Sequence, residues 1–182
     1  MSAYLLLLAA LLSRVVPHPG WYGFTAVGGS LLYFGARRNW REMLAPLVAL
    51  GLVDYYLTTH VYAYAFHWQD FAITWGWYAA AVVLGRILLA QKVSAVRVAA
   101  AAVLGPTSFF LVSNYSVWLG SHYAGGMYAP GLGGLLTCLV AGLPFYGRDV
   151  LSTGLVLTLA FGVPAAVRRL QEGRTFAGQR SL

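Results

Sequence analysis

Charge is what this sequence has least of. Only 9% of its 182 residues are Asp, Glu, Lys or Arg, against roughly a quarter in a soluble globular protein. A larger core cannot absorb the deficit, because a chain this short leaves much of its surface facing outward. The surrounding medium is therefore expected to be lipid. Lysine is almost missing, Lys92 being the single one. No Gly-x-x-x-x-Gly-Lys stretch exists to cradle a nucleotide phosphate. HExxH, CxxC and GxSxG are absent, as are paired carboxylates at catalytic spacing. So few ionisable groups leave acid–base chemistry little to draw on, and neither an enzyme nor a cofactor is expected. The one cysteine, Cys138, lies in an apolar run, which rules out an internal disulfide and leaves the redox compartment unread. Repeats, low-complexity tracts and linkers are also missing.

What is there is apolar: 59% of the chain. It falls into runs at Ala3–Val16, Phe24–Ala36, Met43–Leu57, Phe71–Ala90, Val98–Leu119, Gly131–Tyr146 and Val150–Val167. A spanning helix needs about 20 apolar residues, with a lower limit near 17. Phe71–Ala90 and Val98–Leu119 meet that comfortably. The rest are short, with Gly or Pro near their ends, and are viable only where neighbours satisfy the freed backbone groups. The expected fold is an all-α polytopic transmembrane bundle forming one domain over residues 1–167, followed by a short basic cytoplasmic tail, 168–182. The first run lacks a basic n-region and a small-residue cleavage site, and reads as a retained helix rather than a signal peptide.

The formal charge of +7 comes from 12 Lys and Arg against 5 Asp and Glu. The basic groups sit between the runs, so anionic headgroups and topology account for them more economically than nucleic acid does. Arg37, Arg38 and Arg41 follow the second run, Lys92 and Arg97 the fourth, and Arg168, Arg169, Arg174 and Arg180 fill the tail. The first two clusters agree with a cytoplasmic N-terminus. Seven crossings would then put the basic tail outside. Six crossings return it to the cytoplasm, and Gly131–Tyr146, rich in Gly and holding Pro144, is the run expected to be re-entrant or broken. Both termini are then cytoplasmic, in the inner (plasma) membrane of a bacterium.

That topology sends all 4 His and five of the 6 Trp to the outer face. His18, Trp21 and Tyr22 lie in the first outer turn. His60, Tyr62, Tyr64, His67, Trp68 and Trp75 lie in the second, and Trp118, His122, Tyr123 and Tyr128 in the third. An interfacial aromatic belt is one reading, but belts form at both interfaces. A vestibule for a planar ligand is the other. Metal is not expected: His60 and His67 stand roughly 10 Å apart along a helix axis, too far to share an ion.

Inside the membrane, Asp54 stands out. A carboxylate at the centre of a spanning helix costs about 2.5–3.5 kcal/mol or more, and usually faces a partner or a wet cavity. Phe110, Asn114 and Trp118 recur at i+4 and share one helix face. Arg86 is expected to snorkel to the inner surface. Gly105-Pro106 should bend the fifth helix, and Gly28, Gly29, Ser30, Gly35 and Ala36 permit close helix approach.

Three stretches together carry a resemblance. They are Pro17-His18-Pro19 leading into Phe24-Thr25-Ala26-Val27-Gly28, then Gly105 through Asn114 with Trp118, and then Gly133 through Cys138 with Ala141-Gly142-Leu143-Pro144-Phe145. The chain resembles an uncharacterised family of bacterial integral membrane proteins. That family looks related to the substrate-binding S subunits of energy-coupling-factor vitamin transporters. Pro144-Phe145-Tyr146-Gly147-Arg148-Asp149 is similar to a loop of those subunits, with Arg148 separating the Gly from the Asp. The resemblance implies a substrate-binding subunit that captures a vitamin or nutrient at the outer face, partnered by a coupling transmembrane subunit and ATPases. The expected ligand site comprises Trp21, Asp54, His60, Asn114, Trp118 and Tyr123. The rival expectation is a non-catalytic accessory or assembly subunit of a larger membrane complex, which needs smooth helix faces but no cavity.

Overall fold

The computed structural model describes residues 1–16, 24–121 and 126–179, with side chains through residue 172. Among them the fold is all-α. Helix α1 is Ser2–Val15 and α2 is Val27–Arg37. A short 3-10 turn, Trp40–Glu42, leads into α3, Leu44–Tyr56, which a wide π-type turn extends through Val61. Helices α4 (Trp68–Leu89) and α5 (Ala95–Ser121) follow. Helix α6, Leu132–Leu157, runs through a second π-type turn, Thr158–Gly162, into α7, Val163–Gln179.

Four stretches are long and apolar enough to cross a membrane: Trp40–Val61, Trp68–Leu89, Ala95–Ser121 and Leu132–Glu172. Their outward faces are as apolar as their inward ones. Leu44, Val48 and Leu52, spaced at i+4 along α3, are 69%, 61% and 64% exposed. Only hydrocarbon or another apolar surface covers such a stripe without cost.

One expectation is corrected. Gly131–Tyr146 is neither re-entrant nor broken: it forms the first half of α6 and joins Val150–Val167 in one helix that runs through Pro144. Two of its glycines serve packing. A Cβ at Gly142 would stand 2.7 Å from Asn114 Oδ1, and one at Gly134 would overlap the Ala129 carbonyl. The single N–H that Pro144 lacks is a loss a well-packed membrane helix tolerates. Phe24–Ala36 is shorter than a span. Helix α2 has 11 residues, about 16 Å at 1.5 Å per residue, roughly half the 30 Å hydrocarbon core.

Helix α2 sits at the centre of the bundle, buried from Val27 through Ala36. It packs parallel to α4 with the backbones nearly touching: a Cβ at Gly35 would overlap the Val82 carbonyl, and one at Gly85 the Leu32 carbonyl. Helix α1 covers another side, its Leu6 carbonyl accepting from Ser30 Oγ at 2.8 Å. Thr153 and Val156 of α6 close against Gly28 and Gly29.

One end of the bundle is basic. Arg38 pairs with Glu42, which also accepts from Tyr4 OH at 2.5 Å. Arg86 lies over the Trp40 ring and donates to the Arg38 carbonyl at 2.9 Å. Arg37 stacks 4.9 Å from the Phe161 ring, where α6 passes toward α7. Arg97 donates to the Leu88 carbonyl at 3.1 Å. The fold thus gathers the loop clusters and the approach to the tail at a single end.

Candidate functional site

Asp54, on the last full turn of α3, is 1% exposed. Its Oδ1 accepts from Arg14 Nη2 at 2.5 Å, and its Oδ2 from Trp75 Nε1 at 2.9 Å and Tyr78 OH at 3.5 Å. Arg14 Nη1 also donates to Tyr78 OH at 3.0 Å. Helix α1 runs parallel to α3, which brings the one charge inside the first apolar run level with the one charge inside the third. Each neutralises the other, as an ion pair in a low-dielectric interior requires.

Beside this pair lies a cavity of about 350 Å³, bounded by the start of α2 and by α4, α5 and α6. Helix α4 contributes Thr74, Trp77 and Tyr78; Arg14 closes one corner. Helix α5 contributes Pro106, Phe109, Phe110, Ser113 and Asn114. Helix α6 contributes Gly142, Phe145, Tyr146 and Asp149, recurring every third or fourth residue along one face. Thr25, Val27 and Gly28 form the remaining wall.

The walls are fixed by their own contacts. Trp77 Nε1 donates to the Gly105 carbonyl at 3.2 Å and to Ser108 Oγ at 3.3 Å, and its ring meets Phe109 at 4.6 Å. Phe110 and Tyr146 rings lie 4.9 Å apart, and Tyr146 OH hydrogen-bonds Thr107 Oγ1 at 2.9 Å. Asn114 Nδ2 donates to the Phe110 carbonyl at 2.8 Å. Asp149 Oδ1 accepts from Thr153 Oγ1 at 3.4 Å. Among the described residues the salt bridges are Arg14–Asp54 and Arg38–Glu42, so Asp149 has no cationic partner there.

The expected site residues separate. Asn114 lines the cavity, as does Phe110 of the same face. Asp54 reaches it through Arg14 and Tyr78, which line it in its place. His60 is exposed in the π-type turn, stacked on Tyr56 at 5.3 Å. Trp118 is also away from the cavity, donating to the Ala129 carbonyl at 3.2 Å. Trp21 and Tyr123 lie outside the described residues. Arg14, Trp77, Tyr146 and Asp149 were not among the expected site residues. Arg14 carries a legible signal: a buried carboxylate needs a cation, and the first apolar run holds just one. Asp149 is part of the expected loop motif, yet that stretch is helical and turns the carboxylate into the bundle.

Comparison with known proteins gives one family. Residues 1–174 match the model of a family of unknown function, DUF6580, and the chain belongs to it. No curated protein matches the chain, and no solved structure does.

Proposed function

We propose that this member of the DUF6580 family is a membrane-embedded small-molecule-binding protein, the substrate-binding subunit of an uptake transporter for a vitamin or nutrient. The observation that carries the reading is the cavity. At about 350 Å³ it falls in the size range of ligand pockets. Aromatic walls with a few convergent polar groups are the usual composition of such sites. Packing between helices alone would favour filling that space, because an unfilled core void costs stability.

The bundle is read as crossing a bacterial plasma membrane six times with both ends cytoplasmic. The basic end, with Arg37, Arg38, Arg86 and Arg97 together, supports that orientation through the positive-inside bias. A chain without a nucleotide-binding motif needs energy from elsewhere, so a coupling transmembrane subunit and ATPases are its proposed partners. The alternative, an accessory or assembly subunit, would bind no ligand.

Thermal unfolding of the purified chain across a vitamin and nutrient panel tests the reading. A ligand at 100 times its Kd adds about 2.7 kcal/mol of stability. Ser113→Trp, which fills the cavity, should abolish the shift. No shift with any compound, or an equal shift in Ser113→Trp, would refute the reading. Recovery of a stoichiometric membrane complex without any ligand shift would favour the accessory subunit.

A further inference from the structure

The cavity's charge is unbalanced. Arg14 and Asp149 both line it. Arg14 is already neutralised by Asp54 at 2.5 Å. Asp149 has a hydroxyl, Thr153, and no salt bridge among the described residues. One net negative charge therefore belongs to a space otherwise walled by rings and small uncharged side chains.

Gly28 shows what faces that charge. A Cβ placed there would stand 2.6 Å from Thr153 Oγ1, 3.5 Å from Asp149 Oδ1 and 3.6 Å from Trp77 Cη2. Carboxylate and indole thus belong to the same stretch of cavity wall, and the absence of a side chain at Gly28 lets Thr153 and its neighbours close on it. Helix α2 begins at Val27 with no side-chain cap. That end of the helix carries partial positive charge. A ligand cation supplies the full charge that this partial one does not.

We propose that the ligand is an organic cation, a protonated amine or a quaternary nitrogen on an aromatic or similarly apolar body, held in the cavity with its charge against Asp149, in the wall that Trp77 shares. The assignment rests on reading the cavity as a ligand site. A desolvated ammonium gains from a carboxylate, and further from any aromatic face within reach. Phe109, Phe110 and Tyr146 then enclose the apolar body. A carboxylate-bearing ligand would place like charges against each other in a low-dielectric space.

Charge-matched triads test this on the full chain in phosphatidylcholine nanodiscs. One triad is tryptamine, tryptophol and indole-3-propionate; a second is phenethylamine, 2-phenylethanol and 3-phenylpropionate. Amines should bind at least tenfold tighter than their alcohols, and the carboxylates weakest. Asp149→Asn should weaken amine binding at least tenfold and alcohol binding less than threefold, with Trp77→Leu acting in the same direction. Alcohols or carboxylates binding as tightly as amines would overturn the cation assignment while leaving the ligand cavity standing. So would an amine preference that survives in folded Asp149→Asn. Failure of both triads, together with an unresponsive nutrient panel, would remove both readings. The triads use wild-type protein, so they decide the matter even if Asp149→Asn does not fold.

Discussion

Asp54→Asn removes one half of the buried pair and leaves Arg14 in place. Two magnitudes bound the outcome. Breaking a buried ion pair by deleting one partner costs about 3–5 kcal/mol in water-soluble proteins. Interhelical polar contacts in membranes are worth about 1–2 kcal/mol at most, because the unfolded chain finds other partners within the bilayer. The geometry decides between them. The Asp54 side chain is 0% exposed, but Arg14 keeps 27% exposure toward the cavity, where water can solvate an orphaned guanidinium. The Asn amide can still accept from Trp75 and Tyr78. The expected loss is therefore between the two bounds, about 2–3 kcal/mol, or roughly 30- to 150-fold in the unfolding equilibrium. Reversible unfolding in mixed micelles, followed by tryptophan fluorescence, measures it. The double variant Arg14→Met with Asp54→Leu should recover more than half of that loss, since no charge is left stranded. A loss under 0.5 kcal/mol for Asp54→Asn, or a double variant less stable than the single one, would refute the pairing argument.

Gly35→Leu and Gly85→Leu should prevent accumulation of folded protein, because each drives a side chain into the backbone of the facing helix; Gly147→Ala, with open space around it, should be neutral or raise stability by up to about 1 kcal/mol. Ligand affinity should fall at least tenfold in Phe110→Ala and change less than threefold in His60→Ala and Trp118→Ala, measured by titration calorimetry; the reverse order would move the site to the outer aromatics. A cysteine introduced at Gln179, with Cys138 replaced by Ala, should stay unlabelled by an impermeant thiol reagent in intact cells and react after lysis.

Much of this was legible in the residues. Asp54 announces itself because a carboxylate in an apolar run demands a partner, and the i+4 spacing of Phe110 and Asn114 identifies a cavity-facing stripe. Trp118 continues the spacing but not the site. By that level α5 has passed the cavity, and its indole turns to the Ala129 carbonyl. The identity of the partner is harder. Arg14 sits near a helix end, where a long cation can equally snorkel to the interface, and only the parallel alignment of α1 and α3 brings it to Asp54. The glycines of Gly131–Tyr146 mislead for a related reason: sequence gives their low helix propensity but not the Asn114 and Phe110 side chains that occupy the room Gly142 leaves. Asp149 is invisible as a cavity residue until Pro144 is known to lie inside a continuous helix.

The shortness of α2 has a consequence for how the protein is made. An 11-residue helix holding three glycines gives an insertion machinery little reason to release it into lipid, since on its own it is shorter than the hydrocarbon is thick and covers its own backbone poorly. Its burial depends on surfaces supplied by α4, α5 and α6, all of which emerge from the ribosome later. The segment must therefore wait, shielded or at the interface, until its neighbours arrive, and the central helix becomes one of the last to be seated. Synthesis order and packing order are opposed in this chain. Substitutions at the α2–α4 contact should act first on the yield of assembled protein, before any effect on the stability of molecules that have already folded.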